Sequence, residues 1–335
     1  MLNDVYYDKD YCGLYLQPDD EIFEFTWKKE DKILKNVAIK RPIKKISRVN
    51  ISDNYYDLET PYGYGGFITN TNDMDFVEKG LNEYQNYCKE NKIIAEFIRF
   101  NPFNDFPEKN KHFFDFFSLD RWTVYVDLKN GYDTVYLNYK SSLKRNLKKA
   151  FNNRLQFKIL DKNQHNLENF FKLYFKTMEK NKASSFYFFP KEYFINLFKL
   201  EYVKLFGVLK EDQIINMMII LESFPISYYH LGASNPEFYA LNGNPFLFDK
   251  VIQYYIDQKF EVLFLGGGSN SDPENSLLRF KKKFSPLMKP FYISGKIYNA
   301  KKYEEYCSIH NAEYPGLREQ KYFLKYRLTP EMIER

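Results

Sequence analysis

Three apolar runs stand close together in the second half of the chain: "VKLFGVL", "IINMMIIL" and "ISYYHLGA", separated by the turns "KEDQ" and "ESFP". Runs of this length bounded by turn residues read as strands, and connections this short join antiparallel neighbours. A meander is therefore predicted. Two helical patterns precede it, "KEYFINLFKL" and "LENFFKLYFKTMEK", the latter with Phe170, Phe171, Tyr174, Phe175 and Met178 on one stripe. After it come a long helix "NPFLFDKVIQYYIDQKF", a strand "EVLFLGG", a short helix "ENSLLRFKKKF" and a final strand "KPFYISGKIYN". Asn244 is expected to cap the long helix, with Pro245 in its first turn.

The first third reads as a shorter version of the same order. "EIFEFTW" and "KILKNVAIK" form a hairpin, "DLETPYGYGGFI" a Gly/Tyr loop, "MDFVEKGLNEYQNYCKE" a helix, and "IIAEFIRF" a buried strand ended by the prolines of "NPFNDFPE". "RWTVYVDL" is a further strand. "SSLKRNLKKAF" is the clearest amphipathic helix: Leu143, Leu147, Ala150 and Phe151 fall on one side, and Lys144, Arg145, Lys148 and Lys149 on the other. Ser141 or Ser142 can cap its start. The pattern predicts an α+β chain of two domains, with mixed sheets flanked by helices.

Composition fits this picture. The 335 residues are 44% hydrophobic and 28% charged, the balance of a globular chain long enough for two domains. Aromatics are so abundant, 30 Tyr and 33 Phe, that a single ring carries little weight. A net charge of +5 favours a phosphorylated ligand but falls short of a nucleic-acid coat. Cys12, Cys88 and Cys307 are far apart and odd in number, which suggests a reducing cytoplasm rather than a disulfide framework or a zinc cluster. The opening "MLNDVYYDKDYCGLYL" lacks the pattern of a signal peptide, and "IINMMIIL" is too short to span a bilayer. The expectation is a soluble cytoplasmic protein without a transmembrane segment, monomeric or dimeric.

Three stretches carry candidate chemistry. "FLGGGSNSDPENSLLRFKKKF" fails the P-loop pattern, and it fails G-x-G-x-x-G because Ser271 takes the last glycine's place. Its glycines serve either a tight turn or the close approach of a ligand. "TPYGYGGF" combines a mobile backbone with rigid hydrogen-bonding rings, which suits either a loop over a polar ligand or an ordinary surface loop. The basic face of "SSLKRNLKKAF" either holds phosphates or is solvated; no neighbouring acid neutralises it, which favours binding. His112, His165, His230 and His310 are scattered, with no H-E-x-x-H, so no metal site is expected. No G-x-S-x-G elbow marks a covalent hydrolase.

"TPYGYGGF", "EFIRFNPF", "SSLKRNLKKAF" and "FLGGGSN…LLRFKKKF" occur in the order seen in the bacterial FemABX peptidyltransferases and their acetyltransferase-like relatives, and from about Tyr56 to Tyr298 the chain resembles that family. The resemblance implies two tandem GNAT-like domains: 1–127 on the acceptor side, 128–299 on the donor side, and a C-terminal segment 300–335 packing back on the first. It implies an N-acyltransferase that moves an aminoacyl or acyl group onto an amine of a phosphorylated cell-envelope precursor, such as a peptidoglycan precursor or a nucleotide-linked amino sugar. No cofactor is tightly bound; the donor is aminoacyl-tRNA or acyl-CoA, with tRNA as a partner in the first case. Carried over by motif, Phe280 and Lys281 are catalytic, Lys281 either stabilising an oxyanion or binding a phosphate. Tyr62, Gly63, Tyr64, Gly65, Arg99 and Arg279 bind substrate; Lys144, Arg145, Lys148, Gly243, Asn244, Gly267 and Gly268 bind the donor. The sequence departs from the family at "GASNPEFYALNGNP", which has Gly243 but not the R/Q-x-x-G-x-G/A loop that holds a coenzyme A pyrophosphate, and it lacks a helical-hairpin arm. Two rival readings are an acetyl-CoA-dependent acetyltransferase of surface-polysaccharide biosynthesis and an inactive module binding RNA or an anionic glycan.

Overall fold

The structure, a computed structural model, describes residues 2–332. It divides into two compact units, one built from Met1–Asp120 with Phe291–Arg335, the other from Arg121–Pro290.

In chain order the first stretch holds α1 (Lys9–Gly13), the hairpin β1 (Glu21–Lys29) and β2 (Lys32–Pro42), the small hairpin β3 (Lys45–Ile46) and β4 (Val49–Asn50), β5 (Tyr56–Glu59), β6 (Ile68–Thr69), α2 (Met74–Glu90), β7 (Ile93–Arg99) and α3 (Phe106–Lys109). Strand β8 (Phe116–Asp127) leads into α4 (Gly131–Leu137), α5 (Ser141–Asn152), β9 (Gln156–Leu160), α6 (Gln164–Lys180) and α7 (Lys191–Lys199). The expected meander follows as β10 (Val203–Lys210), β11 (Gln213–Ser223) and β12 (Ile226–Ser234), then α8 (Gly243–Asp257), β13 (Val262–Gly266), α9 (Ser276–Lys281), β14 (Met288–Ile297) and α10 (Ala300–Glu313). The α+β class and the mixed sheets flanked by helices are as expected.

In the first unit the strand order is β1-β2-β5-β7-β14, with β5 parallel to β7 and the other pairs antiparallel. Helix α2 starts where Asp73 accepts from the Phe76 amide, and it buries Phe76, Val77, Leu81 and Tyr84 against Leu34, Phe67 and Ile98. Segment 300–332 adds Tyr306, Leu324 and Tyr326 to a second cluster with Ile94 and Ala95. Two buried polar groups tie this unit together. Glu96 accepts from Asn36, Tyr84 and Tyr298. Asp57 lies between Arg41 and Arg327.

In the second unit the order is β8-β13-β12-β11-β10-β9, and β12 and β13 are the parallel pair. Helices α5 and α8 contribute Leu143, Ala150, Leu247, Val251 and Tyr255 to the core with Val208, Ile215, Met218 and Leu263. Helix α6 packs on β12.

Two helix starts correct the sequence reading. Helix α8 begins at Gly243 after a left-handed Asn242 (φ 60), so Asn244 lies inside the helix and does not cap it. Helix α5 begins after Lys140 with no side-chain cap, and both serines fall in its first turn. Phe151, placed on the apolar side by periodicity, is 78% exposed, because the helix ends one residue later and the buried side stops at Ala150. No helix of the described residues is long and apolar enough to cross a membrane.

Candidate active site

The glycine run leaves β13 with Gly266 at φ 76 and folds back under α9. Asn275 organises the return. Its Oδ1 accepts from the Leu277, Leu278 and Ser269 amides, and its Nδ2 donates to Ser269 and Asn270. A Cβ on Gly268 would stand 2.5 Å from that Oδ1, so the third glycine is required by this contact. Asp272 accepts from the Glu274 amide, and Glu274 faces Arg279 at 3.8 Å in an exposed pair. Neither acid caps α9; Asn275 does.

Lys281 ends α9 and is 5% exposed. Its Nζ donates to the Gly267 carbonyl at 2.7 Å and lies 5.4 Å from the centre of the Tyr229 ring. Burial lowers its pKa from the ordinary 10.5 to about 7, and the positive charge of Arg121 acts in the same direction. Arg121 itself donates from Nη1 to the Gly268 carbonyl at 3.0 Å. Successive carbonyls of the glycine loop are thus each held by a basic side chain. An ammonium carries three donors, and among the described residues one partner is found for the Nζ of Lys281. Phe280 packs edge-on against Phe248 and Phe284, which fixes the end of the helix that carries the amine. Arg121 was not picked out from the sequence. It opens the second unit midway along strand β8, and no motif there signals which loop the strand will meet.

The other expected site residues fall into separate groups. In the first unit, the "TPYGYGGF" loop is pinned rather than mobile. Tyr11 donates to the Tyr62 carbonyl (2.7 Å) and Tyr7 to the Gly65 carbonyl (3.1 Å). Gly63 has φ 93, and Tyr6 stacks edge-on with Tyr64. Gly66, at φ 82, is pressed against Ile98 and Phe100. Arg99 donates to Glu59 and to the Thr60 carbonyl. Burial pushes the Glu59 carboxyl up, but Arg41 and Arg99 more than offset this and hold it below its ordinary value.

In the second unit, Lys144, Arg145 and Lys148 share a groove of about 560 Å³ with Phe246, Asp249 and Lys250 of α8; Lys281 is not among its lining residues. Gly243 is buried, and a Cβ there would stand 1.9 Å from the Asn216 carboxamide oxygen. Pro245 lacks an amide hydrogen, so the first turn of α8 keeps the amides of Gly243 and Asn244 but offers one donor fewer to a pyrophosphate.

No family model and no curated protein matches the sequence. Solved structures do resemble it. FemX superposes with a TM-score of 0.69 at 14% identity, over 90% of this chain and 94% of FemX. The C-terminal domain of a lysylphosphatidylglycerol synthetase from Agrobacterium fabrum gives 0.54 at 14% identity, over 95% of this chain and 93% of the other. The L-PGS of Bacillus licheniformis gives 0.54 at 14% identity, over 85% and 86%. At such identities the likeness is one of fold, and it extends over nearly the whole chain: this protein has the fold of FemX.

Proposed function

We propose that the protein is an acyltransferase that moves an aminoacyl group from aminoacyl-tRNA onto an amine of a phosphorylated cell-envelope precursor. The observation that carries this reading is Lys281, a buried amine on the glycine loop with donors to spare, in a chain with the fold of FemX. The acceptor amine attacks the ester carbonyl, and negative charge collects on the carbonyl oxygen. A nearby anion favours the protonated form of Lys281, and the ammonium stabilises that oxygen in a site poor in water. The new C–N bond forms, the ester C–O bond breaks, and the proton shed by the amine ends on the leaving hydroxyl. An ester donor is preferred to a coenzyme A thioester because the stretch before α8 lacks the R/Q-x-x-G-x-G/A loop and Pro245 removes one amide donor from the helix start.

The test supplies radiolabelled aminoacyl-tRNA or acetyl-coenzyme A with a peptidoglycan precursor or a nucleotide-linked amino sugar. Label should pass from the aminoacyl-tRNA, and Lys281→Ala should slow transfer by about 10²–10³-fold. Transfer from acetyl-coenzyme A alone would move the donor to a thioester. Full turnover by Lys281→Ala would remove the role given to that lysine, and RNA binding without turnover of any donor would make the protein a binding module.

A further inference from the structure

We propose that the face formed by α4, α5 and the first turns of α8 docks on an anionic lipid surface: Lys144, Arg145, Lys148 and Lys250 take lipid phosphates, and Leu137 and Phe151 seat among the headgroups. The groove between these helices, about 560 Å³, is the size of a small-molecule site and is open to such a headgroup. Its four cations face one carboxylate. That carboxylate, on Asp249, is 5% exposed and already accepts from Tyr132, Tyr139 and Gln253 at 2.7, 3.0 and 2.8 Å. Among the described residues no acid pairs with any of the four cations. Lys144 rests on the Tyr136 ring and donates to the Leu137 carbonyl, and Lys250 rests over Phe246 and donates to Gln253, its charge acting in part on the neighbouring Asp249.

The apolar rim decides the class of partner. Phe151 and Leu137, at 78% and 75%, are the most exposed large apolar side chains of the described residues, and they belong to two of the three helices that wall the groove. A nucleic acid would satisfy the cations, but Leu137 has no ring face on which a base can stack. A lipid surface supplies both halves, anionic phosphates and an apolar layer beneath them, and neither half alone anchors a protein firmly. The surface is separate from Lys281 and stands whichever donor the protein uses.

The test is co-sedimentation of the purified protein with vesicles of pure phosphatidylcholine or of equimolar phosphatidylcholine and phosphatidylglycerol. Binding is expected to the second and not to the first, and to weaken with added salt. Each basic residue near an anionic surface contributes about fivefold in affinity, so Arg145→Glu with Lys148→Glu should lose at least about tenfold. Leu137→Ser with Phe151→Ser should weaken binding severalfold; thermal melts of both double variants should match the parent, since all four side chains are exposed. Equal binding to both vesicles, or to neither, overturns the proposal. So does a serine pair that binds like the parent. Capture of a single-stranded RNA oligonucleotide in preference to the anionic vesicles would assign the groove to nucleic acid instead.

Discussion

Replacing Lys281 by methionine exchanges a buried amine for an unbranched apolar chain of similar length, and the outcome can be read without a substrate. Holding the amine's pKa at about 7 against an ordinary 10.5 means that burial, together with the positive charge of Arg121, costs the charged folded form about 5 kcal/mol. Loss of the hydrogen bond to the Gly267 carbonyl returns about 1.5–3 kcal/mol of that. The methionine protein is therefore expected to be more stable by about 2–3 kcal/mol wherever the wild-type lysine is protonated. The pH dependence sharpens the test. The unfolded chain keeps the lysine proton up to pH 10.5, while the folded chain releases it near pH 7. Between these values the unfolded state binds more protons, so wild-type stability rises with pH, by about 1.4 kcal/mol per unit. The variant has no such rise. Urea denaturation at about pH 6 should show the full advantage of methionine, and at about pH 9 the advantage should be gone. A variant less stable than wild type at pH 6, or a difference that ignores pH, would show that the lysine is not held as described and would refute the reasoning.

Two other substitutions probe the surroundings. Arg121→Gln removes the positive charge that helps lower the Lys281 pKa, so the Lys281 titration, followed by NMR of its side-chain nitrogen, should move upward; an unmoved midpoint would leave burial as the whole cause. Gly66→Ala places a methyl 2.6 Å from Ile98 Cγ2 at φ 82, and overpacking together with left-handed strain should cost about 2–4 kcal/mol; unchanged urea denaturation would show that this loop yields easily.

Elements were more legible in the sequence than their contacts. The meander and the strand–glycine–helix unit around Lys281 could be read because their signals are local: apolar runs and turn residues. Helix starts were misplaced by up to two residues where a cap works through backbone conformation, as at Asn242, which no side-chain preference announces. The "TPYGYGGF" loop was read as mobile because Tyr7 and Tyr11, which pin it, lie more than fifty positions away. Arg121 could not be found for a similar reason: its partner, the Gly268 carbonyl, is 147 positions further along. The basic side of α5 was legible from periodicity alone. That it shares a groove with Lys250 depends on how α5 and α8 pack, which periodicity does not specify.

The first unit is assembled from two stretches of chain, whereas the second is a single uninterrupted stretch. During synthesis on the ribosome the inserted unit therefore has its whole sequence available while the first still lacks β14. Until Ile293 can pair with Arg99, β7 is an open edge, and Ile94, Ala95 and Ile98, all buried in the finished protein, lie along it. Such an edge is a template for joining a neighbouring chain. Asp57, fully buried at the end, likewise waits for Arg327, 270 positions later, to complete its pairing. A chain halted before Phe291 would leave the ribosome with one unit complete in sequence and the other open to aggregation.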